Sequence, residues 1–380
     1  MDPSRCARPV GARFAPGLAC ALAGALAAVP IASTRAAPAP PAFLSAEPAP
    51  LAAHSLLIAI AAAGERLVAV GDHGIIVISD DRGASWRQAD EVPAQALLTG
   101  VCFLDAQHGV AVGHDEVALV TVDAGRTWRR THYVPEAERP LLDVWCGASG
   151  HVIAIGAYST YLTSADGGAS WNDVKFTPAP PAGAAVPAPG RAADRGTGAA
   201  AASPAAAEEA ATGGYHLNRI VAAGGGRLYI AGEAGHLYRS DDDGASWITL
   251  PSPYEGSFFG VQPLDGGAPG AAVLAFGLRG NLYRSEDAGM SWQRIKTGTV
   301  AMLDGAARLK EGVAIVGLAG VVLVSRDGAR SFRLLQQADR SGLSAAVAVG
   351  DARLAVVGEN GARLIGLDVS TAAGGRGSTP

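Results

Sequence analysis

The stretch Leu228 to Trp247 reads LYIAGEAGHLYRSDDDGASW, and variants of it recur along the chain. An apolar segment ends in glycine, a Gly-X-X-Gly turn and a second apolar segment follow, and a polar turn of the pattern Ser-X-Asp-X-Gly-X-Ser-Trp closes the unit. Six copies end in aromatic residues spaced 42, 43, 76, 45 and 40 residues apart: Trp86, Trp128, Trp171, Trp247, Trp292 and Phe332. A period of about 40–45 residues made of strand-sized segments is typical of a radial repeat. The sequence therefore predicts an all-β β-propeller of four-stranded antiparallel blades.

A glycine that closes the second strand of the unit gives the number of blades. It recurs seven times, as Gly71, Gly113, Gly156, Gly232, Gly277, Gly317 and Gly358. Seven glycines against six polar turns predict seven blades, of which the last, Leu343 to Val369, is incomplete. Circular propellers leave no sheet edge open. We therefore expect the N-terminal segment 38–50, and Ala42 to Glu47 in particular, to supply the closing strand.

Residues 1–37 have the pattern of a signal peptide. An apolar run from Gly17 to Ala32 follows three arginines, and small residues surround Arg35. The run is short for a membrane span, so the pattern predicts export to the periplasm, with an uncleaved N-terminal anchor as the alternative. Residues 1–37 hold four of the 30 basic and one of the 35 acidic side chains, which leaves a net charge of −8 beyond them. That charge gives no basic footprint for nucleic acid.

Two cysteines remain beyond residue 37, Cys102 and Cys146. Both fall on predicted inner strands of neighbouring blades. Alignment of the two strands offsets the cysteines by one residue, which turns their side chains to opposite faces of a pleated strand. We therefore expect two buried free thiols. A disulfide remains the alternative in an oxidising compartment.

Composition sets the remaining boundaries of the predicted propeller, which spans residues 51–370. Residues 177–214 are almost wholly Ala, Pro and Gly, and they account for the one interval of 76 residues between aromatics. Such a composition does not offset its ordering entropy. We expect a disordered insertion between the third and fourth blades, and a disordered tail over residues 371–380.

The polar turns carry one aspartate per blade, which we assign to Asp81, Asp123, Asp166, Asp243, Asp287 and Asp327. An aspartate in such a turn accepts hydrogen bonds from the backbone of its own turn. Six equivalent copies do not make a catalytic centre, which needs different residues that converge once. Calcium would need several oxygen ligands in one loop, and most copies lack them. We therefore predict a structural role for the aspartates and the aromatics, with no metal and no cofactor.

The polar turn resembles the Asp box of bacterial neuraminidase repeats. The longer combination VLAFGLRGNLYRSEDAGMSW, Val273 to Trp292, resembles the photosystem II assembly and stability factor family. The resemblance covers roughly residues 54–369. It implies a seven-bladed propeller, export to the periplasm or thylakoid lumen, and a non-catalytic assembly or accessory role. It also implies an arginine patch that faces the client.

The candidate binding residues lie on one predicted face, which the turns between second and third strands share with the connections between blades. Loops on a rigid scaffold are the usual carriers of recognition. Arg279 is the first candidate because it stands at the tip of a turn that otherwise needs only glycine and small residues. The other candidates are Arg139, Arg340, Tyr133, Tyr158 and Tyr254. A metal between His73 and His114 is a weaker alternative, since no metal-ligand spacing supports it.

The sequence thus predicts a monomeric, exported propeller that binds a membrane protein or its periplasmic or lumenal loop. A photosystem subunit and an exporter are both candidate partners. The alternative is a sialidase-like glycoside hydrolase or a carbohydrate-binding propeller, with Tyr254 and Glu255 as a Tyr–Glu pair. That chemistry also needs three arginines on the substrate carboxylate and an acid. The Arg-Ile-Pro signature that opens sialidases is absent from the first blade, so we expect no enzyme.

Overall fold

The computed structural model describes residues 44–180, 214–264 and 272–367. In these residues the chain forms seven antiparallel sheets, each built of strands that are consecutive in sequence. Six sheets have four strands and the seventh has three. The predicted seven-bladed, all-β propeller is therefore confirmed.

The strands follow the predicted units closely. The first three blades consist of Leu57–Ala63 (β1), Arg66–Gly71 (β2), Ile76–Ser79 (β3), Arg87–Gln88 (β4); Leu98–Phe103 (β5), Gly109–Gly113 (β6), Ala118–Thr121 (β7), Arg129–His132 (β8); and Leu141–Cys146 (β9), Val152–Gly156 (β10), Tyr161–Ser164 (β11), Asn172–Asp173 (β12). The next two consist of Leu217–Gly224 (β13), Arg227–Gly232 (β14), Leu237–Ser240 (β15), Ile248–Thr249 (β16); and Phe258–Pro263 (β17), Val273–Gly277 (β18), Leu282–Ser285 (β19), Gln293–Arg294 (β20). The last two consist of Leu303–Leu309 (β21), Gly312–Gly317 (β22), Val321–Ser325 (β23), Arg333–Gln336 (β24); and Leu343–Ala348 (β25), Arg353–Gly358 (β26), Arg363–Gly366 (β27).

Short 3-10 turns are the other regular elements in the described residues. They are Ala52–His54, Asp72–Gly74, Pro135–Ala137, Ala148–Gly150, Ala157–Ser159, Leu278–Gly280 and Leu318–Gly320. None of the described helical segments is long and apolar enough to cross a membrane.

The hydrophobic core lies between neighbouring blades. The second and third strands are buried on both faces, so they read as continuous apolar runs, as in Val110-Ala111-Val112 of β6. Val110 and Val112 pack against Val144 and Val152 of the third blade, and equivalent clusters fill the other junctions around the ring. A blade that buries both faces in this way is stable only with neighbours on both sides.

The aromatic residue of each polar turn packs against the preceding blade. Trp128 lies in the core between the first and second blades, and Trp247 lies between the third and fourth. Phe332 takes the same place between the fifth and sixth blades, although it is smaller than tryptophan. The predicted packing of these aromatics on neighbouring blades is present at all three positions.

The turns between second and third strands share one face of the ring with the connections between blades, as predicted. Gly74 donates its N–H to the carbonyl of Ala96 in the following connection, over 3.0 Å. A Cβ on Gly280 would lie only 2.2 Å from the carbonyl oxygen of Thr299 in the next connection, and Gly280 has a φ of +67°. Only glycine satisfies both the left-handed backbone and this close approach. We call this side of the ring the turn face.

The aspartates of the polar turns bind their own turns. Asp166 accepts hydrogen bonds from the backbone N–H and the hydroxyl of Ser170, at 2.9 and 2.6 Å, and from the hydroxyl of Ser164 at 2.7 Å. The hydrogen bonds from Ser170 contribute most to lowering the pKa of Asp166, to about 2. The geometry fits the predicted structural role, because both carboxylate oxygens accept hydrogen bonds from the same turn.

The assignment of Asp243 is wrong by one residue. In the fourth blade the hydroxyl of Ser246 donates to Asp242 at 2.6 Å, and Ser240 donates to the same carboxylate at 2.7 Å. Asp243 occupies the next position with a φ of +54°. Three consecutive aspartates hid this register in the sequence, and the distance of two residues from Ser240 identifies Asp242 as the equivalent of Asp81.

Cys102 and Cys146 form a disulfide between β5 and β9, which corrects the expectation of free thiols. Cys102 pairs across its sheet with Val110, and Cys146 pairs with Val152. Both valines belong to the core between the second and third blades. Two stacked blades face each other, so side chains that meet between them lie on opposite faces of their own sheets. The one-residue offset therefore brings the two sulfurs together. The rule for residues within one sheet was wrongly applied to two stacked sheets.

Residues 44–50, the described part of the predicted closing strand, lie on the first blade and do not pair with the seventh. Ala46 donates its N–H to the carbonyl of Val92, and the side chain of Gln88 holds the N–H of Ala49 and the carbonyl of Glu47. Residues 44–50 therefore cross the first blade, and within the described residues the seventh sheet keeps three strands. Residues 38–43 of the prediction lie outside the described residues.

Residues 51–56 close the ring between the seventh and first blades. Ala52 is 3% exposed and packs in a cluster with Ala345 and Val357 of the seventh blade. Ala362 donates its N–H to the carbonyl of Ala53 over 2.9 Å. Side-chain packing and this bond thus join the two ends of the ring.

The predicted disordered insertion begins with ordered residues. Ala179 forms an isolated parallel bridge with Ile248, donating to Trp247 and accepting from Thr249. The start of the insertion therefore follows the outer strand of the fourth blade. The remainder of that prediction, residues 181–213, and the predicted tail lie outside the described residues.

Candidate functional site

Arg279 stands at the tip of the turn after β18, on the turn face. Its backbone is left-handed, with a φ of +57°, and its side chain is exposed. The third residues of five other such turns share this conformation: His73, Asp115, Tyr158, Ala234 and Ala319. The turn therefore fixes the backbone of Arg279 and directs its guanidinium away from the ring.

Arg279 borders a groove formed by the fifth blade and the connection that leads to the sixth. The groove has a volume of about 840 Å³ and is lined by Arg279, Gly280, Arg294, Ile295, Lys296, Thr297, Gly298, Thr299 and Val300. We call it the basic groove. Arg279, Arg294 and Lys296 are all exposed, and none forms an ion pair within the described part of the chain. Three cations around one concave surface make a site for an anionic group. Sequence reasoning missed Arg294 and Lys296, which follow the polar turn of the fifth blade.

Arg139 is engaged within the protein and does not join Arg279. Its Nε donates to Glu116 at 2.6 Å and its Nη2 donates to Asp173 at 2.9 Å. Only 2% of the Glu116 side chain is exposed, and His132 also approaches it at 3.2 Å. Burial alone would lower the pKa of Arg139, but the bonds to Asp173 and the charge of Glu116 raise it. The predicted patch of three arginines is therefore wrong for Arg139, which lies at the junction of the second and third blades.

Arg340 lies on the turn face, one junction further along the ring than Arg279. It is exposed, with a φ of +53°, in the connection between the sixth and seventh blades. A Cβ on Gly320, in the turn of the sixth blade, would lie 3.1 Å from the Cα of Arg340. Arg340 and Arg279 thus border the sixth blade from its two sides.

The three predicted tyrosines lie on the turn face in different surroundings. Tyr158 is 49% exposed and meets the ring of His216 edge-on at 5.1 Å. Tyr133 is 39% exposed and lies under the guanidinium of Arg130 at 4.7 Å. Tyr254 is half-buried and stacks on Tyr283 at 6.3 Å. Tyr158 and Tyr133 present open aromatic surface to a partner, whereas Tyr254 is mainly part of the packing between the fourth and fifth blades.

A second charged group, missed in the sequence, lies on the inner strands near the turn face. In each of the seven blades the inner strand has a bulge after its first residue, and the bulge residues are Ile58, Thr99, Leu142, Asn218, Phe259, Asp304 and Ser344. Asp304 alone among them is charged. Burial raises the pKa of Asp304 to about 6, against the opposing charge of Arg219. Arg219 also lies 3.7 Å from Asp143. A single arginine therefore serves two carboxylates.

Asp143 is the better compensated of the two carboxylates. It is 5% exposed and accepts a hydrogen bond from the backbone N–H of Ile220 at 2.9 Å. Burial nevertheless raises the pKa of Asp143 above its ordinary value. Within the described residues no group of three His, Cys, Asp or Glu side chains is arranged to hold a metal ion. His73 instead pairs with its neighbour Asp72 at 2.9 Å.

Comparison with known proteins supports the family suggested by the sequence. Residues 78–193 match the family model described as photosynthesis system II assembly factor YCF48. The predicted resemblance to this family is confirmed. No curated sequence relative matches the chain.

Solved structures similar to the chain include two YCF48 proteins. One, described as YCF48 bound to D1 peptide, has a TM-score of 0.60 at 14% identity and covers 83% of this chain and 95% of its own. YCF48 from Cyanidioschyzon merolae also gives a TM-score of 0.60 at 14% identity, over 85% of this chain and 98% of its own. The WD40 propeller domain of Doa1 has a TM-score of 0.59 at 11% identity and covers 86% of this chain and 97% of its own. Because a WD40 domain is nearly as similar, these structures establish the fold alone.

Proposed function

We propose that this chain is an exported, non-catalytic propeller that binds an exposed segment of a membrane protein on its turn face. It acts there as an assembly, stability or accessory factor. The observation that carries the proposal is the basic groove, where Arg279, Arg294 and Lys296 surround one concave surface. The match of residues 78–193 to the assembly factor family supports the same kind of role.

The chemistry of the groove favours an extended acidic segment as the ligand. The guanidinium groups of Arg279 and Arg294 bind carboxylates in a bidentate manner. Ile295, buried at the base, and Val300, exposed at the edge, add apolar surface between the cations. One similar propeller is described as bound to D1 peptide, so a peptide ligand has a precedent in this fold.

Two features support export. Residues 1–37 have the composition of a signal peptide, and the disulfide between Cys102 and Cys146 is of the kind that persists in oxidising compartments. Together they favour the periplasm as the site of action.

The glycosidase alternative receives less support from the turn face. Tyr254, which that alternative requires as a nucleophile, packs against Tyr283 and Phe258. Arg139 is bound to two carboxylates and is not directed at a ligand. A screen against sialosides and other glycans tests this alternative directly.

The main test is crosslinking in cells followed by purification of the chain from the envelope. Arg279→Glu should lose most of the crosslinked membrane protein, because it reverses one of three charges in the basic groove. Arg353→Glu is the matched control, since Arg353 is also exposed but begins β26, outside the groove. If both variants retain the partner, or if no membrane protein crosslinks to the unaltered chain, the proposal is rejected.

A further inference from the structure

Two aliphatic side chains project from the turn face beside the basic groove. Val300 is 85% exposed, the highest value among the large apolar residues described, and Leu318 is 40% exposed. Leu318 donates its N–H to the carbonyl of Met302, two residues beyond Val300. The two side chains therefore belong to one surface at the sixth blade.

Basic residues border the same surface. Lys296 precedes Val300 in the connection from the fifth blade, and Arg340 contacts the turn that carries Leu318. A Cβ on Gly342 would lie 3.0 Å from Cδ2 of Leu318, so the leucine reaches the connection that contains Arg340. We call Lys296, Val300, Leu318 and Arg340 the sixth-blade lip.

Two acidic groups lie near the lip, and one of them is paired with an arginine. Asp339 pairs with Arg363 at 3.0 Å, and Glu359 accepts the N–H of Gly342 at 2.8 Å. Lys296 and Arg340 form no ion pair within the described part of the chain. Lys296 and Arg340 therefore outweigh the single charge of Glu359, and the lip is locally basic although the chain as a whole has a net charge of −5.

This combination distinguishes a lipid surface from a protein partner. Protein interfaces concentrate their energy in apolar residues that enter desolvated pockets near the centre of a contact. Val300 instead projects from the edge of the groove, with cations on either side of the apolar pair. Aliphatic side chains that enter the boundary of the acyl chains, beside basic residues at the headgroups, are typical of peripheral membrane binding.

We propose that the sixth-blade lip docks the ring on an anionic bilayer, with Lys296 and Arg340 at the phosphodiester headgroups and Val300 and Leu318 below them. Docking in this orientation places the basic groove next to the membrane surface. The proposal goes beyond the binding of a client, because it requires lipid alone. The negative charge of the remaining surface disfavours other orientations on the same bilayer.

The test is flotation of the chain with vesicles of 70% phosphatidylcholine and 30% phosphatidylglycerol, a mixture of roughly the anionic content assumed here. The chain is used from residue 38 onward, so that the apolar run 17–32 contributes nothing to vesicle binding, and the packed clusters of the ring lie within residues 44–367. Binding should fall as salt rises, and vesicles of phosphatidylcholine alone should bind much less. Lys296→Gln and Arg340→Gln should each weaken binding about fivefold.

Matched variants on the opposite face control for general charge and apolar effects. Lys310→Gln and Val122→Asp alter a lysine and a valine that are exposed there, the valine by 68%. They should leave flotation unchanged, whereas Val300→Asp and Leu318→Asp should each abolish most of it. Equal binding to neutral vesicles, or equal losses in the two sets of variants, would overturn the proposal. Inorganic phosphate at millimolar concentration should not displace the chain, and displacement would indicate a soluble anion site instead.

The outcome is separable from that of the client experiment. Leu318→Asp and Arg340→Gln alter residues outside the basic groove, so crosslinking to a client through that groove tests a different set of contacts. Loss of flotation with retained crosslinking supports both proposals. Retained flotation in every lip variant rejects the lipid site whatever the client does.

Discussion

Cys102 and Cys146 join the inner strands of the second and third blades through a disulfide, with their Cα atoms 5.7 Å apart. The bond lies beside the core cluster that contains Val110 and Val152. It connects two blades that already share apolar packing, and it encloses the whole of the second unit after β5. The disulfide therefore reinforces one junction of the ring and leaves the other six to packing and hydrogen bonds.

Cys102→Ser with Cys146→Ser should lower the free energy of unfolding by about 2–4 kcal/mol, as expected for a closed loop with a sequence separation of 44 residues. Urea unfolding in the presence and absence of a reductant measures this difference. Reductant should destabilise the unaltered chain by a similar amount and have no effect on the double variant. In the chain from residue 38 onward, which lacks Cys6 and Cys20, labelling of two free thiols in the non-reduced, denatured state would contradict the disulfide itself.

Arg139→Ala should destabilise the chain by about 2–4 kcal/mol, because it leaves the carboxylate of Glu116 buried with only His132 beside it. Adding Glu116→Gln to this variant should recover a large part of the loss, since the buried charge is then gone. Arg340→Ala is the control, with an expected change within about 0.5 kcal/mol for an exposed side chain. Thermal and urea unfolding of the four proteins test the set.

Asp304→Asn should stabilise the chain at neutral pH. Folding raises the pKa of Asp304 to about 6, so between about pH 4 and pH 6 the folded chain keeps a proton that the unfolded chain has lost. The free energy of unfolding of the unaltered chain therefore falls as pH rises through this window, by about 2–3 kcal/mol from this group. The variant should lack this fall and should match the unaltered chain below about pH 4.

Urea unfolding at several pH values between 3 and 8 checks the expectation for Asp304. Asp115→Asn controls for the loss of an exposed carboxylate on the same face. An identical pH dependence in the unaltered chain and in Asp304→Asn would show that Asp304 does not titrate in this window.

Asp166→Asn should change stability in the opposite pH range. Hydrogen bonds from Ser170 lower the pKa of Asp166 to about 2, so its contribution is present above the unfolded pKa and is lost as pH falls towards 2. The variant should be less stable than the unaltered chain at pH 7, and the difference should shrink on acidification. Acid titration of the two proteins, followed by near-UV circular dichroism of the tryptophans, measures the trend.

Gln88→Ala should release the N-terminal segment from the first blade. The Gln88 side chain binds both the N–H of Ala49, at 2.8 Å, and the carbonyl of Glu47, at 2.9 Å. Amide exchange at Ala46 and Ala49 should accelerate, and stability should fall by about 1 kcal/mol. Gln293→Ala, on the equivalent outer strand of the fifth blade, should leave both amides unchanged. Unaltered exchange in Gln88→Ala would show that the segment is held by packing alone.

Much of the fold could be predicted because each strand and turn pattern occurs in several copies along the sequence. The seven glycines at the ends of second strands indicated the number of blades. The polar turns that end in Trp86 to Phe332 indicated the length of the repeat. Local turn chemistry needs only neighbouring residues, so it is legible in sequence. The position of Arg279 at the tip of a turn was predictable for the same reason.

Relations between blades were harder to predict, since they join residues with no fixed spacing. The approach of Arg139 to Glu116 depends on how a connection lies over the preceding turn, and sequence reasoning treated this arginine as free. Asp304 looked like an ordinary polar residue until its bulge placed it near Arg219 of another blade. The cysteines were misjudged because pleat direction has opposite consequences within a sheet and between stacked sheets.

The left-handed turn that carries Arg279 has a consequence for how this surface changes over time. Glycines occupy the first and last positions of this loop, and the third residue is exposed, as it is in the equivalent glycine-flanked turns of His73 and Ala319. Each of these turns thus offers one position whose side chain can be exchanged without repacking the core. A new specificity then requires only a few substitutions around the rim, while the fold that displays them remains as it was.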